Sequence, residues 1–188
     1  ELIKPNAIAK PSQNFYFGRS KMSNDPSEKP YVIAEIGLCH NGSVELCKQL
    51  IDASKNNGFS AAKIQTYQTG RISKRSRTSR YFEETLDQEE SISDQIDKLI
   101  FSESELFEIF SYADSIDFDL FSTPFDVSSA NILNNLNVPG FKISSMDLVN
   151  IPLIKHVARF GKPVILSTGM ASVGEIEAAV DAVLSEGN

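Results

Sequence analysis

The sequence is short of cysteine, histidine, basic charge and long hydrophobic runs, and each shortage closes off a class of function. Cys39 and Cys47 are the only cysteines. Two thiols so close together do not build a disulfide framework, and both are expected to be small, buried, apolar side chains. His40 and His156 are the only histidines, and their spacing is not that of a metal site. His40 falls in a loop and is expected to be a local hydrogen-bonding residue. The net charge of -7 argues against a dedicated nucleic-acid binder, although a small anionic substrate needs only a few local cations. No stretch has the pattern of a secretory core or a membrane span, so a cytoplasmic location is the default expectation.

What is present is ordinary globular material: 41% hydrophobic and 23% charged residues over 188 positions, enough for one domain with a sizeable core. The chain begins at Glu1 and ends at Asn188, just after a helical pattern, and is expected to be part of a longer protein.

Residues 1–30 are polar and interrupted by proline, with one aromatic patch at Phe15-Tyr16-Phe17. They are expected to form an arm or hairpin ahead of a barrel portion over 31–188. From Tyr31 onward a unit repeats. The short apolar run 31–35 predicts a strand covered on both faces. Asn41-Gly42 is a turn, Ser43 an N-cap, and Cys47, Leu50, Ile51 and Ser54 share one helical face that ends at Gly58. Four further strands are predicted over 61–65, 118–122, 140–143 and 163–167. Helices between and after them open at capping boxes, Ser102 with Glu105 and Ser172 with Glu175, or at the caps Asp126 and Asn150.

Alternating strands and helices mean βαβ units and a parallel sheet. Glu35, Lys63, Gln65, Thr123, Lys142 and Ser167 all sit at or just after a strand's C-terminal end. Polar groups from five successive strands converge on one point only if the sheet curves around it. A (β/α)₈ barrel does this; an open sheet gathers its ligands mainly at one switch point. Five of the eight units are present.

Lys63 and Lys142 each interrupt an apolar strand, and Gln65 shares the face of Lys63 because strand side chains alternate. A buried ammonium must be paired or meet an anion. One possibility is a structural network with Glu35 and Asp147. The other is a site for a small polyanion, ringed by hydroxyls of Ser122, Thr123, Ser144, Ser145 and Ser167. Between the second and third predicted strands, Arg71, Lys74, Arg75, Arg77 and Arg80 precede Glu83, Glu84, Asp87, Glu89 and Glu90. The stretch reads as a lid over an anionic site or as a self-compensating solvated segment.

These residues stand in a series: Ala34-Glu35-Ile36-Gly37, His40-Asn41-Gly42-Ser43, Lys63-Ile64-Gln65-Thr66, Ser122-Thr123-Pro124-Phe125, Lys142-Ile143-Ser144-Ser145 and 161–170. In order and spacing the series resembles the sialic acid synthase family. The resemblance implies a (β/α)₈ barrel followed by a small antifreeze-like domain, assembled as a homodimer. It implies condensation of phosphoenolpyruvate with an N-acylated amino sugar to give a nonulosonic acid and phosphate. Lys63, Thr123, Lys142, Ser145 and Ser167 would hold phosphoenolpyruvate, Gln65 and Asp147 would meet the sugar, and Glu35 would sit near the reacting carbon. A divalent metal, Mn or Mg, would be held by histidines outside this chain. Cys39, Met146 and Asp147 stand where the family usually has Asn, Gly and Glu, departures that bear on which sugar is used. Legionaminic, pseudaminic or spore-coat sugar acid synthesis is the alternative with the same chemistry. A truncated, non-catalytic anion binder is the alternative without it. The 188 residues alone are expected to be inactive.

Overall fold

The computed structural model describes residues 15–22, 27–68 and 97–188. The hairpin is Phe15–Phe17 (β1) and Ser20–Met22 (β2), antiparallel, with Phe17 opposite Ser20. The remaining elements follow as Ile33–Gly37 (β3), Val44–Asn56 (α1), Ala61–Thr66 (β4), Glu103–Ser115 (α2), Asp119–Pro124 (β5), Val127–Asn135 (α3), Phe141–Ile143 (β6), Ile151–Ala158 (α4), Val164–Leu166 (β7) and Val173–Leu184 (α5). β3 to β7 form one sheet in sequence order, every neighbouring pair parallel. This is the α/β architecture expected, five consecutive βα units of a (β/α)₈ barrel.

Two apolar layers follow from strand alternation. Ala62, Ile64, Leu120, Phe141 and Ile143 face outward into the main core with α1, α2, α3 and α4. On the other face Ala61 and Phe121 pack with Phe17, and Ile33 and Ile165 close around them. The hairpin therefore seals the end of the barrel at which the strands begin. Phe17 is fully buried, edge-on to Phe121 at 4.7 Å. A Cβ at Gly140 would lie 2.4 Å from its ring, so glycine is needed there for the close approach. Asp119, which makes β5 less apolar than its neighbours, accepts from the Arg19 backbone N–H at 2.7 Å and from Arg19 Nη1 at 2.9 Å. It ties the hairpin to the barrel.

The caps form as predicted. Both capping boxes are complete, at Ser102 with Glu105 and Ser172 with Glu175, and Ser43, Asp126 and Asn150 cap through their side chains. Two expectations need correction. The first barrel strand lies two residues later than 31–35, because Glu35-Ile36-Gly37 continues pairing with β4 through a bulge. Cys47 is buried, but Cys39 is exposed: its N–H closes a turn on the Ile36 carbonyl at 2.9 Å, which turns the thiol away from the core. The basic-then-acidic run over 71–90 lies outside the described residues. Among the described residues no helix is long and apolar enough to cross a membrane.

Candidate functional site

The regular parallel register from Ile33 onward sets Glu35 directly opposite Lys63, just ahead of the bulge, and the next strand pair sets Gln65 opposite Thr123. Lys142, opposite Ile165, projects from the same inward face. The polar ends of β3, β4, β5 and β6 thus meet at the end of the barrel opposite the hairpin plug.

Lys63 is the centre. Its side chain is 5% exposed, while that of Glu35 is 55% exposed. Lys63 Nζ donates to Glu35 Oε1 at 2.8 Å and lies 2.7 Å from Oε2, and it also donates to Thr123 Oγ1 at 3.1 Å. Burial pushes the pKa of Lys63 down; the hydrogen bond and charge of Glu35 oppose this, and the charge of Lys142 adds to the depression. Lys142, Ser145 and Ser167 have no side-chain hydrogen bond among the described residues. Ser145 opens a short 3₁₀ turn, Ser145–Asp147, and Ser167 follows β7, its N–H on the Ile143 carbonyl at 3.1 Å.

The structural network considered from sequence forms in one half only. Lys63 pairs with Glu35, but Asp147 Oδ2 accepts from Ser144 Oγ at 3.0 Å rather than pairing with Lys142. Ser122 does not belong to the ring of hydroxyls. It faces outward, 2.7 Å from Thr66 Oγ1, and donates to the Ile64 carbonyl at 3.1 Å. Ser144 is likewise engaged, by Asp147.

Sequence reasoning missed an aromatic pair. Tyr67 lies flat on Phe125, ring centroids 4.3 Å apart and planes at 10°, and its hydroxyl donates to Gln65 Oε1. Burial first, then the charges of Asp147 and Glu35, push the Tyr67 phenol up. The signal was there: Tyr67 continues the alternation Lys63, Gln65 by one more step.

His40 is buried, stacked on Phe101 at 4.2 Å, with Nδ1 accepting from the Gly42 N–H at 3.1 Å. Its Nε2 has no partner at hydrogen-bond geometry, although the Gly37 carbonyl is near enough to offset part of the effect of burial, which pushes the imidazole down to about 4. It is a neutral structural hydrogen-bonder, as expected. His156 is bound to Asn131 Oδ1 at 2.8 Å on the outside of the barrel. Among the described residues no three His, Cys, Asp or Glu side chains gather as metal ligands would. A cavity of about 490 Å³ opens at the other end of the barrel, beside Arg19, Phe110 and Asp119, and shares no residue with this site.

Parallel strands in sequence order, with polar residues gathered at their C-terminal ends, define a protein of the (β/α)₈-barrel class with its candidate site at that face. The chain belongs to the NeuB family, which matches residues 50–188. It is 41% identical to an uncharacterised protein of Methanocaldococcus jannaschii over 85% of this chain and 44% of that protein. It is 35% identical to the N,N'-diacetyllegionaminic acid synthase of Campylobacter jejuni over 85% of this chain and 48% of that one. The chain thus spans a little under half the length of these curated relatives. Among solved structures it superposes on the N-acetylneuraminic acid (sialic acid) synthetase of Leptospira borgpetersenii with a TM-score of 0.76, at 30% identity, covering 94% of this chain and 56% of that one. A truncated 3-deoxy-D-arabino-heptulosonate 7-phosphate synthase of Thermotoga maritima shares the fold, with a TM-score of 0.65 at 15% identity over 94% of this chain and 54% of that one.

Proposed function

We propose that this chain is the phosphoenolpyruvate-binding part of a sugar acid synthase, which condenses phosphoenolpyruvate with an N-acylated amino sugar. The observation that carries the reading is the pair of lysines, Lys63 on β4 and Lys142 on β6, on the inward face of one sheet at the same barrel mouth. Like charges held together cost free energy, and a shared anion offsets that cost. The identities of the curated and solved relatives support the same reading.

In this reading Lys63, Lys142, Thr123, Ser145 and Ser167 hold the carboxylate and phosphate. Lys63 carries three N–H donors, and Glu35 and Thr123 account for two directions, leaving a donor for the anion. A carbon–carbon bond forms between the methylene of phosphoenolpyruvate and the aldehyde carbon of the open-chain sugar, whose oxygen takes up a proton. Positive charge develops at the former enol carbon, and the half-exposed Glu35 carboxylate stabilises it. Water adds to that carbon, and phosphate leaves as its C–O bond breaks. Gln65 and Asp147 face the sugar. The divalent metal implied by the family resemblance does not fit the described residues: His40 and His156 are both engaged elsewhere, and no ligand cluster forms. Its ligands are assigned to the rest of the protein. The full-length protein is proposed to act in the cytoplasm as a homodimer.

The test is phosphate release from phosphoenolpyruvate, with manganese present, across a panel of N-acylated amino sugars. The full-length protein should release phosphate only when a sugar is supplied. The 188 residues alone should release none. Absence of sugar-dependent release from the full-length protein would remove the reading.

A further inference from the structure

We propose that Tyr67 is a positioning residue that fixes the orientation of the Gln65 carboxamide, so that Gln65 presents N–H donors to a neutral, hydroxyl- or amide-bearing part of the sugar. The inference rests on the function proposed above and deepens it.

Gln65 is a neutral amide on the inward face of β4, two residues after Lys63, and it is half-buried. An unrestrained carboxamide can turn over, exchanging its acceptor for its donors. Here one end is taken: the Tyr67 hydroxyl donates to Gln65 Oε1. The phenol in turn is held by its face-to-face contact with Phe125, whose position is fixed at the end of β5 by its N–H on the Thr66 carbonyl at 3.2 Å. The other end, Nε2, lies toward Gly37. A Cβ there would be 3.7 Å from Gln65 Nε2 and 3.4 Å from Glu35 Oε1. The amide nitrogen and the Glu35 carboxylate therefore line one wall, a donor beside an acceptor. Gly37, at φ +56°, keeps this wall bare.

Such a wall suits a group that both accepts and donates, a hydroxyl or a secondary amide. It does not suit the phosphate or carboxylate, which the lysines take. Burial, reinforced by the charges of Asp147 and Glu35, keeps the phenol protonated and hence a donor.

The experiment uses the full-length protein, with steady-state kinetics in both substrates. Tyr67→Phe keeps the stacked ring and removes the hydroxyl. It should raise KM for the amino sugar about tenfold, the worth of one hydrogen bond, while KM for phosphoenolpyruvate and kcat stay within about twofold. In a Gln65→Ala background the same change should make no further difference, which a general effect on folding would not reproduce. Should Tyr67→Phe fail to fold, Phe125→Leu, which unseats the ring and leaves the hydroxyl, carries the same expectation. An unchanged sugar KM in Tyr67→Phe, equal losses for both substrates, or full additivity with Gln65→Ala would overturn the inference while leaving the function intact. No turnover by the wild-type protein with any amino sugar would remove the function and this inference with it.

Discussion

At the scale of single residues, the informative positions are polar groups in apolar settings. Lys63 and Lys142 were legible because a lysine inside a short apolar strand has to meet an anion. Glu35 was legible because it ends a strand. Tyr67 was legible only as one more step of the alternation Lys63, Gln65; its contact with Phe125 was not, since it joins two βα loops and no local pattern reports it. The exposure of Cys39 was also missed: a free cysteine reads as a small core residue until the turn closed by its N–H on the Ile36 carbonyl places it at the surface. His40 gives a testable consequence. Its folded value of about 4 lies below the ordinary 6.5, so between those values the unfolded chain binds the extra proton. Its stabilising effect is complete above pH 6.5 and is lost as pH falls towards 4. The urea midpoint of the protein should therefore drop between pH 7 and 5.5, above the range where most carboxylates titrate. In His40→Gln that drop should be clearly smaller. An equal drop in the two proteins would show that His40 is not buried in the neutral form.

The elements divide by how local their causes are. The five helices among the described residues could be placed to within a few residues, because their caps are sequence-local: a Ser, Asp or Asn whose side chain meets a backbone N–H three residues on. The strands drifted by one or two residues, since their ends are set by neighbouring strands and, in β3, by a bulge. The aromatic arm was readable as a hairpin, but its role as a plug was not; that depends on Asp119, about a hundred residues away, receiving Arg19, and on Gly140 making room for Phe17. Phe17→Ala should accordingly cost about 3–5 kcal/mol of unfolding free energy, as for a fully buried aromatic. Chemical denaturation would measure it. A loss under about 1 kcal/mol would show that the hairpin is not packed into the barrel end.

For the whole molecule, the division of labour between the two barrel ends is what links sequence to function. One end is closed by apolar packing around Phe17, and the other carries Glu35, Lys63, Thr123 and Lys142 in adjoining strands. The barrel class was legible because those polar residues, with Ser167 after the fifth strand, recur at strand ends in five successive units. The central claim, that the two lysines jointly hold phosphoenolpyruvate, is tested most directly by titration calorimetry of phosphoenolpyruvate into the full-length protein and its Lys63→Met and Lys142→Met variants. Each variant should bind at least about tenfold more weakly, since a charge-assisted contact contributes roughly 1.5–3 kcal/mol. Wild-type affinity should fall as salt rises. It should also fall on the alkaline side at a pH below the ordinary lysine value of 10.5, because the depressed Lys63 loses its proton early. Wild-type affinity in either folded variant, or binding indifferent to salt and alkali, would contradict the account.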